Sequence, residues 1–155
     1  MHRSTNTAFR RLVFLSVFIS LPPLLTSCDS KRDYEASPTY PATGQVMAGT
    51  QPVAGAFVRF TPVDAVGSPD ALTSQAQTES DGTFSLSTYE KGDGAPAGSY
   101  AVTLTWPANA AGARKSADPG PDRLNGRYAD AKSAEWIIEI TEGENVLEPI
   151  VIEAP

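Results

Sequence analysis

At 155 residues the chain has room for one domain of ordinary size and a leader. Its single histidine, His2, and single cysteine, Cys28, exclude a Ser-His-Asp or Cys-His catalytic centre, a histidine-rich metal site and an internal disulfide from the body of the chain. Twelve Lys and Arg against eighteen Asp and Glu give a net charge of −6, which argues against nucleic acid as a partner.

The chain opens with Arg3, Arg10 and Arg11 and no acids, followed by the apolar run LVFLSVFISLPPLL from Leu12 to Leu25. A basic start and an apolar stretch of that length predict a cleaved export signal over residues 1–27. A membrane-spanning helix needs about 20 apolar residues, and Pro22-Pro23 would interrupt one here. The run ends in Leu25-Thr26-Ser27-Cys28, an aliphatic residue, two small residues and a cysteine at the seam where apolar gives way to charged. That stretch resembles the lipobox of bacterial lipoproteins. The resemblance implies that the Cys28 sulfur carries a diacylglycerol, that the signal is cut before it, and that the new N-terminus is acylated, as with palmitate.

Each buried methylene contributes about 0.8 kcal/mol, so two or three such chains hold a protein on a bilayer. Loss of residues 1–27 removes three arginines and no acids, leaving a mature charge of −9. That acidity argues against a polybasic lipid-binding surface, and the expected membrane partner is reached through lipid alone. Residues 28–42 mix charges, Ser, Thr and two prolines without a period that would bury a face, and read as a tether.

From Thr43 the pattern is one of short strands divided by turn residues. Gly44–Gly49 is the first expected strand. In GAFVRFTPV, Ala56, Val58 and Phe60 form an apolar face against a mixed face of Phe57, Arg59 and Thr61. Asp81-Gly82 predicts a turn between strands at Ser74–Thr78 and Thr83–Ser87, because that pair tolerates positive φ. In GSYAVTLTW, Tyr100, Val102, Leu104 and Trp106 alternate with Ala101, Thr103 and Thr105. Trp136, Ile138 and Ile140 mark a further strand, and Ile150 and Ile152 a last one, with Gly143 at the turn between them. Pro149 lacks a ladder donor, so the last strand is expected at an edge or bulged.

Three stretches taken in order carry a second resemblance: GQVMAGTQPVAGAFVRFTP, AQTESDGTFSL and PAGSYAVTLTW. Together they are similar to the carboxypeptidase regulatory-like family, and the tail DRLNGRYADAKSAEWIIEITEGENVLEPIVI resembles that of short planctomycete lipoproteins of this type. The likeness runs from Thr43 to Ile152. It implies an all-β fold, a seven-stranded prealbumin-like or Ig-like β-sandwich over residues 43–155 behind a cleaved signal peptide. It implies no activity. Related prealbumin-like hydrolases rely on histidines, an arginine and a terminal Tyr-Arg-Gly-Ser, whereas this sequence closes on VIEAP.

Several constellations bear on chemistry. Asp81, Asp93, Asp118, Asp122 and Asp130 fall in loops, but no stretch has the alternating oxygens of a calcium loop, so they read as turn residues. Glu139, Glu142, Glu144 and Glu148 offer carboxylate pairs of the kind glycoside hydrolysis uses, yet fit a charged outer strand face. Trp106 and Trp136 sit on apolar strand faces and are expected in the core. The long segment 107–134 gathers Arg114, Lys115, Arg123 and Arg127 into the one basic patch of an acidic protein, beside Tyr128, which either binds or plugs the sandwich. The expectation is a non-enzymatic, cofactor-free lipoprotein on the membrane, facing the periplasm or cell surface of the envelope. Its role is structural or that of an interaction module, with an envelope protein or a glycan as partner. The alternative is a carbohydrate- or peptide-binding module working through loop 107–134.

Overall fold

Alternation of large apolar residues with polar ones yields strands with one buried row each, and two such rows facing each other make a core. The computed structural model describes residues 36–109 and 118–153, and within them the chain is all-β, with eleven strand segments and two single-turn 3-10 segments, Val63–Ala65 and Ala131–Ser133. Residues 1–27, Cys28, most of the tether, and Arg114 and Lys115 lie outside the described residues.

The segments form two principal sheets and one small pair. Thr39–Tyr40 (β1) pairs antiparallel with Ala95–Pro96 (β7). In the first sheet Ala42–Ala48 (β2) is central. Gln51–Pro52 (β3) and Thr83–Ser85 (β6) run antiparallel to it, whereas Asn145–Val146 (β10) and Ile150–Ile152 (β11) run parallel to it. The second sheet is antiparallel throughout, in the order Ser74–Gln77 (β5), Phe57–Pro62 (β4), Gly98–Thr105 (β8) and Trp136–Ile140 (β9).

The inward rows are those the alternation predicts. Val58 and Phe60 of β4, Tyr100, Val102 and Leu104 of β8, and Ile140 of β9 meet Val46 of β2, Phe84 of β6, Leu86, Ile150 and Ile152 in one buried cluster. The Phe60 ring joins the two layers, with centroids 6.4 Å from Phe84 and 6.0 Å from Tyr100. Burial of a side chain of this size contributes roughly 1.5–3 kcal/mol, so this cluster is the main source of stability. Phe84 lies opposite Gly44 in the ladder, and its ring covers the bare backbone there; a Cβ on Gly44 would stand 2.6 Å from the ring.

Three boundaries or pairings differ from the expectation. The folded body begins ahead of residue 43, since β1 is paired, Ala42 is buried and Tyr40 packs on the core. The Asp81-Gly82 turn forms, with Gly82 at φ 79° and its N–H donating to Glu79 O at 3.0 Å. Its flanks do not make a hairpin ladder, because β5 goes to β4 and β6 to β2. Buried Thr78 holds the first flank by exchanging backbone bonds with Gly55 and Ala56 and accepting Ala56 N–H on Oγ1, while Val46 N–H donates to Gly82 O and holds the turn to β2.

β9 and β10 likewise belong to different sheets, so the turn at Gly143 is a corner between layers. The last strand is bulged as expected: from Asn145 to Ile150 it takes five steps against four along β2, and Pro149 lies in the gap. Trp106 and Trp136 are half-buried at the margin of the core, and Trp106 donates its indole N–H to Ala54 O at 3.0 Å.

Candidate functional site

Segment 107–134 has two described limbs. Ala108 N–H donates to Pro121 O and Asn109 N–H to Pro119 O, so residues 106–109 and 118–123 run side by side. Asp122 organises their base, its Oδ1 accepting the N–H groups of Trp106 at 2.8 Å and Leu124 at 3.1 Å and its Oδ2 that of Gly126 at 2.9 Å. Partial burial pushes this carboxyl up, but the donors from Trp106, Gly126 and Leu124 outweigh it and hold the pKa below the ordinary carboxylate range.

The sequence-predicted basic patch is not assembled as a free surface from its described members. Arg123 donates to Ala108 O at 3.0 Å and stacks its guanidinium 4.7 Å over the Trp106 ring, bracing the two limbs. Arg127 lies 5.3 Å over the Tyr128 ring and pairs with Glu153 beyond β11, an exposed contact that raises the arginine pKa and lowers that of the glutamate. Tyr128 is only 5% exposed. Its carbonyl accepts Leu104 N–H at 2.9 Å, its ring lies 5.0 Å from Trp136, and its hydroxyl accepts Glu153 N–H at 3.3 Å. As a ligand platform Tyr128 is therefore corrected: it is a plug, and Leu124 is buried beside it in the same cluster.

The loop aspartates act as turn residues. Asp81 accepts from Thr83 N–H and Oγ1, Asp118 from Gly120 N–H, and Asp130 from Lys132 N–H. Asp93 accepts the N–H groups of Thr88, Tyr89 and Glu90, which outweigh desolvation and lower its pKa. Among the described residues no group of three or more His, Cys, Asp or Glu side chains is placed to hold a metal ion, and no helix is long and apolar enough to cross a membrane.

A second surface went unread in the sequence. The outer faces of β5, β4 and β8 form a groove of about 630 Å³. Register sets its side chains in two rows, Gln75–Arg59–Thr103 and Gln77–Phe57–Thr105. Gln75, Gln77 and Arg59 are exposed, Phe57 is 47% exposed, and Thr103 forms the floor at 8%. Ser87 and Ala129 line the groove as well. The available signal was the polar and aromatic set opposite Val58 and Phe60, but only the register of three strands brings these residues together.

Neither a protein-family profile nor a curated protein matches the chain. Among solved structures it aligns with a 9R-lipoxygenase from Cyanothece PCC8801 at 14% identity and a TM-score of 0.37. The alignment covers 76% of this chain and 17% of the lipoxygenase, a likeness too low to carry fold or activity.

Proposed function

We propose that this chain is a lipid-anchored envelope protein whose folded body is a carboxypeptidase regulatory-like, prealbumin-like sandwich, acting without catalysis as an interaction module on the periplasmic or outer surface. The observation that carries the reading is Leu25-Thr26-Ser27-Cys28, set between an apolar run and a charged, proline-containing segment ahead of the first strand at Thr39. With β10 and β11 joined across the bulge and the two-residue β1, β3 and β7 set aside, seven strands remain, which supports the sandwich reading. The burial of Tyr128 weighs against that residue as part of a binding surface on loop 107–134.

Mass spectrometry of the native N-terminal peptide together with membrane fractionation tests the anchor. A Cys28 bearing diacylglycerol and an acyl chain, with loss of membrane association in Cys28→Ala, is the expected result. An unmodified Cys28 in a soluble fraction would remove the anchor from the proposal.

A further inference from the structure

We infer that the groove on the outer faces of β5, β4 and β8 binds a carboxylate-bearing saccharide, with Arg59 holding the carboxylate. Arg59 is exposed on a protein of net charge −6, yet among the described residues it has no ion-pair partner, and no carboxylate lines the groove around it. A guanidinium offers five donors in a planar fork that matches a carboxylate bidentately, so an uncompensated arginine on an acidic protein selects an anionic occupant.

The neighbours specify the rest of that occupant. Gln75 and Thr103 flank Arg59, and Gln77 and Thr105 flank Phe57, so amides and hydroxyls that donate and accept surround both positions. Phe57 presents an exposed apolar ring in the adjacent row, about 7 Å along the strand from Arg59. An aromatic surface for the C–H face of a sugar ring, a cation for its carboxylate and paired polar groups for its hydroxyls form one connected set. The groove volume of about 630 Å³ lies within the usual range of roughly 300–1,000 Å³ for ligand sites. An extended acidic peptide docking by addition to the sheet edge fits less well. Here the outer edge of β5 is already bridged to Ser87, with Gln75 and Ser87 exchanging N–H···O bonds at 2.9 Å. The site does not depend on lipid attachment.

Titration calorimetry on the full-length chain in detergent, with oligogalacturonate and hyaluronan fragments as probes, tests this. At least one of the two is expected to bind, with at least tenfold loss when its carboxyls are methyl-esterified. Arg59→Gln is expected to lower affinity at least tenfold and Phe57→Ala several-fold, both with unchanged thermal melts, while Arg59→Lys keeps part of the binding and Arg127→Gln leaves it intact. Failure of both probes to bind, equal binding of the esterified forms, equal binding of poly-glutamate, or equal losses in Arg59→Gln and Arg127→Gln would each overturn the assignment.

Discussion

The Asn145 side chain closes on Thr141 from both directions: Oδ1 accepts Thr141 N–H at 2.9 Å and its hydroxyl at 3.2 Å, while Nδ2 donates to Thr141 O at 2.9 Å. Nδ2 also reaches Gly143 O at 3.1 Å and Pro41 O at 3.3 Å, and the Asn145 backbone N–H donates to Pro41 O at 2.8 Å. One buried amide thus fixes the corner where the chain leaves the β8–β9 sheet and pins it to the start of β2. Leaving a buried donor or acceptor unpaired costs about 1–3 kcal/mol. Asn145→Ala is therefore expected to lose about 2–4 kcal/mol in urea denaturation. Asn145→Asp should not rescue it, because a carboxylate cannot donate to three carbonyls; stability within about 0.5 kcal/mol of the parent would contradict the clamp.

Gly94 tests the attachment of β1. It adopts φ +88°, and a Cβ there would lie 1.8 Å from Tyr40 O, a backbone atom that cannot step aside without breaking the β1–β7 pair. Gly94→Ala combines left-handed strain of roughly 1–2 kcal/mol with that clash, so a total loss above about 3 kcal/mol is expected. Limited proteolysis should show new cleavage near Tyr40, and an unchanged melt would refute the close approach.

Gly44 and Phe84 should behave as a coupled pair. Gly44→Ala drives a methyl into the Phe84 ring, and Phe84→Leu alone uncovers the Gly44 backbone and shrinks a core residue at the layer junction. In the double variant the smaller Leu makes room for the methyl. A double-mutant cycle is expected to give a coupling of about 1–2 kcal/mol, with the pair less destabilised than the sum of the singles. Strict additivity would mean that the ring and the glycine do not share the space.

Much of this was legible because the inward rows follow a period of two: Val58 and Phe60, Tyr100, Val102 and Leu104, and Ile150 and Ile152 are buried where that period places them. Pairing was less legible. The Asp81-Gly82 and Gly143 turns look like hairpin turns, but turn chemistry does not say whether the flanking strands stay in one sheet, and here Thr78 and Asn145 send them to different ones. On the outer face of β8 the alternation does not set exposure, since Ala101 is 1% exposed between Thr61 and Ile137. For the binding surface, sequence proximity drew attention to basic residues near one another in the loop. Arg59, Gln75 and Thr103 meet only through register, with β5 and β8 each separated from β4 by intervening chain.

Tyr128 separates a plug from a platform. Removing its hydroxyl sacrifices one 3.3 Å bond from Glu153 N–H, so Tyr128→Phe is expected to cost about 0.5–1.5 kcal/mol. Removing the ring empties the space against Trp136 and the core cluster, so Tyr128→Ala should cost about 3–5 kcal/mol. Thermal or urea unfolding measures both, and a Tyr128→Ala protein of parental stability would show that the ring is not needed for packing.

Asp122 gives the fold a dependence on acid whose direction follows from its bonds. Its folded pKa lies below the value of about 3.9 expected in the unfolded chain, because Trp106, Gly126 and Leu124 donate to the ionised form more strongly than desolvation opposes it. A group of this kind contributes stability above its unfolded pKa, and that contribution disappears as pH falls through the lower folded value. Asp122→Asn keeps one acceptor but turns an amide donor toward a backbone N–H, so it should be less stable than the parent at pH 7. The two proteins should then converge as pH falls below about 4, where the parent carboxyl also becomes protonated. Urea midpoints measured from pH 7 to pH 2.5 check this. Asp93, held low by Thr88, Tyr89 and Glu90, leaves a residual acid sensitivity in the variant. Parallel curves for parent and variant over the whole range would show that the Asp122 charge is not linked to folding.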